Sequence, residues 1–182
     1  MNINKSYITL VIAFFGLLFT NAVTAQDVKI GYVNPQAILA NMPEMKAVQQ
    51  RLQNFAAKKQ QELSLKEQDF QNQVSEYEQK AGVISADAKR KEEERLGQLQ
   101  VDLVNAQKQA DSDFQQKKNE LIGPLLTQIS NAIDKVAKAK GLTYVLNTTT
   151  STGDMIILYV SEEFQAKSDI TESVMQELGM YN

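Results

Sequence analysis

The chain has 182 residues and a formal net charge of −3, from 19 Lys+Arg against 22 Asp+Glu. It contains no Cys and no His, which removes disulfides, thiolate nucleophiles, Ser-His-Asp catalysis and the Cys- and His-based metal sites. There is no basic excess of the kind that drives nucleic-acid binding.

Lys5 precedes an uncharged apolar run from Tyr7 to Phe19, and Val23 and Ala25 stand where a signal peptidase reads small residues. Residues 1–25 therefore read as a secretory signal peptide with cleavage after Ala25. The run is too short for a membrane span, which needs about 20 apolar residues. Removing 25 of the 182 residues leaves 157, and losing Lys5 takes the charge from −3 to −4. The compartment so predicted is outside the cytoplasm, and a Cys-free chain there must rely on packing and assembly.

Asp27 to Asn34 reads as a strand, with Val28, Ile30 and Tyr32 alternating onto a core face. Pro35 to Ala40 reads as a helical turn. Asn41 and Glu44 resemble a capping box for a helix that starts at Pro43. From Pro43 to Lys80 there is no Gly or Pro, and Gln, Lys, Glu, Ala and Leu dominate. The apolar residues Met45, Val48, Leu52, Ala56, Leu63, Phe70, Val74, Tyr77 and Ala81 fall at steps of three, four and seven. That narrow stripe suits a coiled-coil seam, interrupted by Gln60 and Glu67. Gly82 is placed to end this helix, and Ser85 to cap the next one with Asp87 in its first turn.

The second helix is expected to run to about Lys140, with a seam of Leu96, Leu99, Leu103, Ala106, Ala110, Phe114, Leu121, Leu125, Ile129, Ala132 and Val136. A connection this short forces antiparallel neighbours. Folding back at Val83 pairs Phe70 with Leu96, Leu63 with Leu103, Ala56 with Ala110 and Leu52 with Phe114, residue numbers that add to about 166. At 1.5 Å per residue the first helix is about 57 Å long, so the hairpin must project.

Gly123-Pro124 is expected to kink or break the second helix, and Gly141 to cap it. Thr143 to Asn147 reads as a strand, Thr148 to Asp154 as a loop and Met155 to Val160 (MIILYV) as a buried strand. Asp169 and Glu172 resemble a capping box before a short helix over residues 170–178. With 98 of the 157 residues in the hairpin, 59 remain. A three-strand sheet of that size is marginal alone and leaves open edges.

The expected fold is mainly α with a small β body. A long antiparallel helical hairpin, a coiled-coil tentacle, projects from a small sheet-based oligomerisation body. Residues 1–25 are the signal peptide, 26–42 and 121–182 the β-sheet oligomerisation body, and 43–120 the hairpin arm with its tip near 81–85.

No phosphate-cradling Gly loop is present, which argues against ATP-driven work. The Glu92-Glu93-Glu94 cluster, flanked by Lys89-Arg90-Lys91 and Arg95, reads as a solvated, self-paired helix face. No catalytic, cofactor or metal residue is assigned. Leu65, Val74, Tyr77, Val101 and Val104 lie off the seam or at its loose end, and are the candidate contacts for an unfolded client chain. Lys89, Arg90 and Lys91 form a candidate anion-contacting tip, and imply transient contact with a membrane surface. Asn147-Thr148-Thr149 matches a glycosylation acceptor, a weak motif.

Lys29-Ile30-Gly31-Tyr32-Val33-Asn34, the charged hairpin, and the run from Leu125-Leu126 through Ile129, Ala132-Ile133, Val136-Ala137 and Lys140-Gly141 to Tyr144-Val145-Leu146 resemble the Skp/OmpH family. Asp169-Ile170-Thr171 resembles it too. The resemblance implies a homotrimer with a sheet body and three helical tentacles around a cavity. It also implies an ATP-independent periplasmic holdase that shields unfolded outer-membrane β-barrel proteins. One departure stands out: the best-known member is strongly basic, whereas residues 43–120 here carry 13 positive and 14 negative side chains. A lipopolysaccharide site carried by basic residues is therefore not transferred. The alternative is a structural coiled-coil spacer or envelope tether without client binding, although there is no Cys for lipidation.

Overall fold

The computed structural model describes residues 28–150 and 152–181. The signal peptide, its cleavage after Ala25 and the expected start of the first strand at Asp27 lie outside the described residues. In chain order the elements are strand β1 (Ile30–Val33), helices α1 (Pro35–Asn41), α2 (Pro43–Lys80) and α3 (Ala86–Lys140), strand β2 (Tyr144–Asn147), and helices α4 (Glu162–Ser168) and α5 (Thr171–Glu177). The fold is mainly helical, with a small two-strand sheet and two long helices that form an antiparallel hairpin.

The long helices form where good helix formers run without a breaker. Helix α2 starts at Pro43, whose fixed φ suits a first turn. Pro43 also holds Met42 extended, at φ −63° and ψ 132°, which separates α1 from α2. The expected Asn41 capping box is not formed. The Asn41 amide instead donates back to the Ala37 carbonyl at 2.8 Å, inside α1. At the tip the Lys80 carbonyl accepts from both Val83 and Ile84, a tight turn that does not place Gly82 at positive φ. The hydroxyl of Ser85 caps α3 by accepting from the Ala88 N–H. Gly141 ends α3 in the left-handed conformation at φ 62°, with its N–H on the Ala137 and Lys138 carbonyls.

Helix α3 is not broken at Gly123-Pro124 but runs on for 55 residues. Pro124 removes the N–H that would reach the Glu120 carbonyl. Thr127 donates its hydroxyl to the Gly123 carbonyl at 3.0 Å. The packed neighbours of the next two turns hold the helix through this defect. From there on, Leu125, Ile129, Ala132 and Val136 form a buried stripe. They share one core with Val33, Ile38, Met42 and Val48 and with Ile170, Val174 and Met175. Ile38, Ile129, Ile170 and Val174 are the largest fully buried side chains.

The sheet is smaller than expected. β1 and β2 pair in parallel, Ile30 opposite Tyr144 through Val33 opposite Asn147. A single parallel bridge joins Tyr32 to Asp169 on the other edge, where the Ile170 N–H donates to the Tyr32 carbonyl at 3.0 Å. Burial does not alternate along β1: Ile30 is exposed while Gly31, Tyr32 and Val33 are all buried. The reason is that the Ser168–Ile170 segment closes over the far end of the strand. At α5 the carboxylate of Asp169 accepts from the Thr171 N–H at 2.9 Å, a local turn rather than the expected box with Glu172.

The expected buried strand at Met155–Val160 is the main correction. Only Met155 forms a bridge, antiparallel to Thr149, and the N–H groups of Ile156 and Ile157 reach the Thr148 carbonyl. Leu158 and Tyr159 are 82% and 84% exposed. Among the described residues the run lies outside the core: Ile157 and Val160 are half-buried and the rest exposed, while the neighbouring helices pack on the α3 stripe.

Gly31 is required by close approach. A Cβ there would meet the Leu142 side chain at 2.6 Å and the Ser168 carbonyl at 3.3 Å. Gly31→Ala is expected to cost about 1–3 kcal/mol by overpacking, read by urea unfolding. A neutral result would show that Leu142 and the Ser168 turn yield freely.

Candidate client-contacting surfaces

The seam of the hairpin sets which apolar groups are left over. Along α3 all the expected seam residues are buried or half-buried. Along α2, Ala56 turns outward, and Phe55 and Lys59 take its place. The Lys59 ammonium lies 5.6 Å from the centroid of the Phe55 ring, a cation–π contact. It also pairs with Asp113 across the hairpin at 2.8 Å. Phe70 shares a cleft with Leu99 and Leu103, and Leu63 one with Ala106 and Ala110. The register is thus about one turn beyond the pairing that assumed a symmetric fold-back. Each Cα–Cβ bond leans toward its own N-terminus. In antiparallel helices this offsets the touching side chains by about two positions, which accounts for part of the difference.

Leu65, Val101 and Val104 stand outside this seam and are exposed, Leu65 by 60%. Val74 and Tyr77 are half-buried within it. The phenol of Tyr77 donates to Glu93 at 2.6 Å. That bond, with burial and the charge of Glu93 adding to it, pushes the phenol up to about 12. The expected contacts thus separate into three exposed residues and two that belong mainly to the hairpin's own packing.

Lys89, Arg90 and Lys91 are all exposed near the tip. Arg90 pairs with Asp87 at 3.3 Å. Lys91 lines a cleft of about 310 Å³ beside Tyr77, in which Lys80 and Arg95 are matched by Glu76 and Glu92. Lys80 reaches Glu76 at 3.4 Å and Arg95 reaches Glu92 at 2.8 Å; Arg95 also donates to Gln73 across the hairpin. The basic triplet therefore lies beside near-balanced charge.

A second apolar surface lies away from the hairpin. Tyr144 and Leu146 face outward from β2, and Met155, Ile156, Leu158 and Tyr159 follow the Thr150–Asp154 turn. In that turn the Asp154 carboxyl is held below its usual range by hydroxyl hydrogen bonds, first from Thr152 and then from Thr150. The hydroxyl of Thr148, at the base of the turn, is buried and has no hydrogen-bond partner among the described residues. Sequence reasoning placed Met155–Val160 in the interior. Within this chain the run forms no named strand, and Met155, Ile156, Leu158 and Tyr159 are exposed.

The arrangement defines a helical-hairpin protein with a small mixed α/β base and apolar groups left uncovered on both parts. The chain belongs to the OmpH-like family: the family model described as outer membrane protein (OmpH-like) matches residues 29–178. No match is found among curated proteins. Among solved structures it is similar to a protein from Caulobacter crescentus assigned as an OmpH-like outer membrane chaperone. The similarity has a TM-score of 0.63 at 15% identity and covers 88% of this chain and 89% of that one. At that identity the likeness is one of fold.

The Lys59–Asp113 pair gives the hairpin a pH dependence. The Lys59 hydrogen bond, then that of Gln109, holds the Asp113 carboxyl below its ordinary 3.8. Lys59 is raised above its ordinary 10.5, first by its hydrogen bond to Asp113. The pair's contribution is therefore complete between these two values. It is lost as pH falls through the depressed Asp113 pKa, or rises through the raised Lys59 pKa. Asp113→Asn is expected to be less stable than the parent at pH 7 and to match it in strong acid. A gap in urea unfolding that persists in strong acid would place the effect elsewhere.

Proposed function

We propose that this protein is an ATP-independent periplasmic holdase chaperone that binds unfolded outer-membrane β-barrel proteins between helical arms. The observation that carries the reading is a projecting hairpin with exposed, scattered apolar residues in a chain of the OmpH-like family. The OmpH-like assignment of the Caulobacter crescentus structure supports it. So does the predicted signal peptide with cleavage after Ala25, which sends the chain to the periplasm.

In this reading residues 43–120 are the arm, and residues 26–42 with 121–182 are the oligomerisation body. The protein assembles as a homotrimer. The outer edge of β2 and the apolar Met155–Val160 run are the surfaces that neighbouring copies cover. An open strand edge beside an uncovered apolar run is unfavourable in water and is relieved by pairing between chains. Three arms then enclose a cavity. Leu65, Val101 and Val104 line it with small apolar contacts, and Val74 and Tyr77 add the edges that they expose.

Each such contact is worth about 1 kcal/mol or less when partly buried. Holding is therefore the sum of many weak, sequence-tolerant contacts, which suits a client that must be released without ATP. Near-neutral arms add little long-range attraction, so the basic tip Lys89–Lys91 acts only locally, on phosphate groups or an anionic client, within a Debye length of about 8 Å.

Arm removal separates a holdase from a spacer. Deleting Gln60–Ser112 and joining Lys59 to Asp113 by a short Gly-rich turn keeps the cross-arm ion pair and the whole core. The shortened protein is expected to assemble and to lose nearly all suppression of light scattering by a diluted, urea-unfolded barrel protein. Leu65→Ala alone should change suppression little. Full suppression by the shortened protein would mean that the arms are spacers.

A further inference from the structure

A groove of about 530 Å³ lies at the start of β1, on the same edge that Asp169 bridges at Tyr32 and away from the tip of the hairpin. Val28, Ile30, Leu142 and Phe164 form its apolar walls, and Lys29, Lys140 and Lys167 stand around it. We propose that this groove binds an extended peptide of alternating apolar and acidic residues, added as a strand to the free edge of β1.

The backbone of β1 supplies the first argument. The Lys29 carbonyl accepts from Thr143 and Tyr144, and the Val33 carbonyl accepts from Thr148, so these groups face β2. The Tyr32 carbonyl faces the other way and accepts from Ile170. The period of two along a strand puts the N–H and C=O of Ile30 on that same outer edge. Among the described residues neither group has a partner outside the β1–β2 ladder. The Ser168–Ile170 segment hydrogen-bonds this edge at Tyr32, while Ser168, with Phe164 and Lys167, walls the groove beside Ile30. An incoming strand at Ile30 continues the pairing that Asp169 begins, and such added strands gain affinity from main-chain bonds and specificity from alternate side chains.

Charge supplies the second argument. Lys29 and Lys140 have no carboxylate within ion-pair distance among the described residues, and Lys167 has only Glu163, at 2.8 Å. Both members of that pair are strongly exposed, so it exchanges readily with another carboxylate. Three ammonium groups around apolar walls, in a chain with an acidic excess, select carboxylates that flank apolar side chains. A fatty acid would satisfy the lysines and the walls but would leave the edge of Ile30 unused. As a subsite for clients the groove rests on the holdase reading; its test does not.

The probe is a fluorescein-labelled octapeptide of alternating Val and Glu, added to the processed chain and followed by anisotropy. The charge reversal Lys29→Glu with Lys140→Glu, at surface positions, is expected to weaken binding at least tenfold. N-methylation of one alternate set of peptide amides, which removes strand pairing without altering the protein, should weaken it equally. A Val/Lys octapeptide should not bind. The proposal is overturned if the Val/Glu peptide fails to bind, if charge reversal leaves its affinity unchanged, if neither alternate set of N-methyl groups weakens it, or if the Val/Lys peptide binds as well. Binding of dodecanoate in place of the peptide would also overturn it and make the groove an amphiphile site. Aggregation suppression by the charge-reversed protein reads the holdase function separately. Intact suppression with no peptide binding removes the groove proposal alone.

Discussion

A single apolar stripe along helix α3 governs this molecule. In its first half the stripe faces only α2, and every residue on it is half-buried at best. In its second half it faces α1, α5 and the sheet, and Leu125, Ile129, Ala132 and Val136 are buried. One helix is therefore both half of a two-helix seam and the centre of a core. The change falls beside Pro124, where a missing backbone hydrogen bond is tolerated because packing, not helix propensity, holds the next turns. A cavity at Ile129 would strike the core from which the hairpin projects, at a cost of about 2–5 kcal/mol for truncation to Ala.

That division explains why apolar surface is left over. A two-helix seam cannot cover Leu65, Val101 or Val104, which point away from it. A base of short elements cannot cover Met155–Val160 once α1 and α5 are spent on α3. In the proposed function the two leftovers have different fates. The compact run on the base is covered by neighbouring copies, and the scattered residues on the arms stay free for unfolded chains. Dense apolar surface favours permanent assembly, whereas sparse apolar surface favours contacts that break easily.

Much of this was legible in the residues themselves. The span Pro43–Lys80 follows from a breaker-free run that opens on Pro, and the α3 seam from periodicity alone. The hairpin's register was legible only to within about a turn, because residue numbers carry no side-chain tilt. Phe55 and Lys59 were missed as seam residues because Ala56 and Gln60 fit the heptad step, while the larger ring and the Asp113 partner decided the local rotation. Tyr77 seemed available for contact because its phenol's partner, Glu93, lies on the other helix. The groove beside β1 was invisible for the same reason: Val28, Leu142 and Phe164 are far apart in the chain. The run MIILYV announced burial, but periodicity does not distinguish a run covered within its own chain from one left open to another copy, and here most of it is exposed.

That last ambiguity holds the central claim, and it is settled by the mass of the processed chain in solution. Light scattering across a range of concentrations is expected to give three chains per particle at micromolar protein, with no folded monomer on dilution short of unfolding. A stable, fully folded monomer at micromolar concentration would contradict the account. It would mean that the uncovered strand edge and the Met155–Val160 run are tolerated in water and that no cavity is built from several arms.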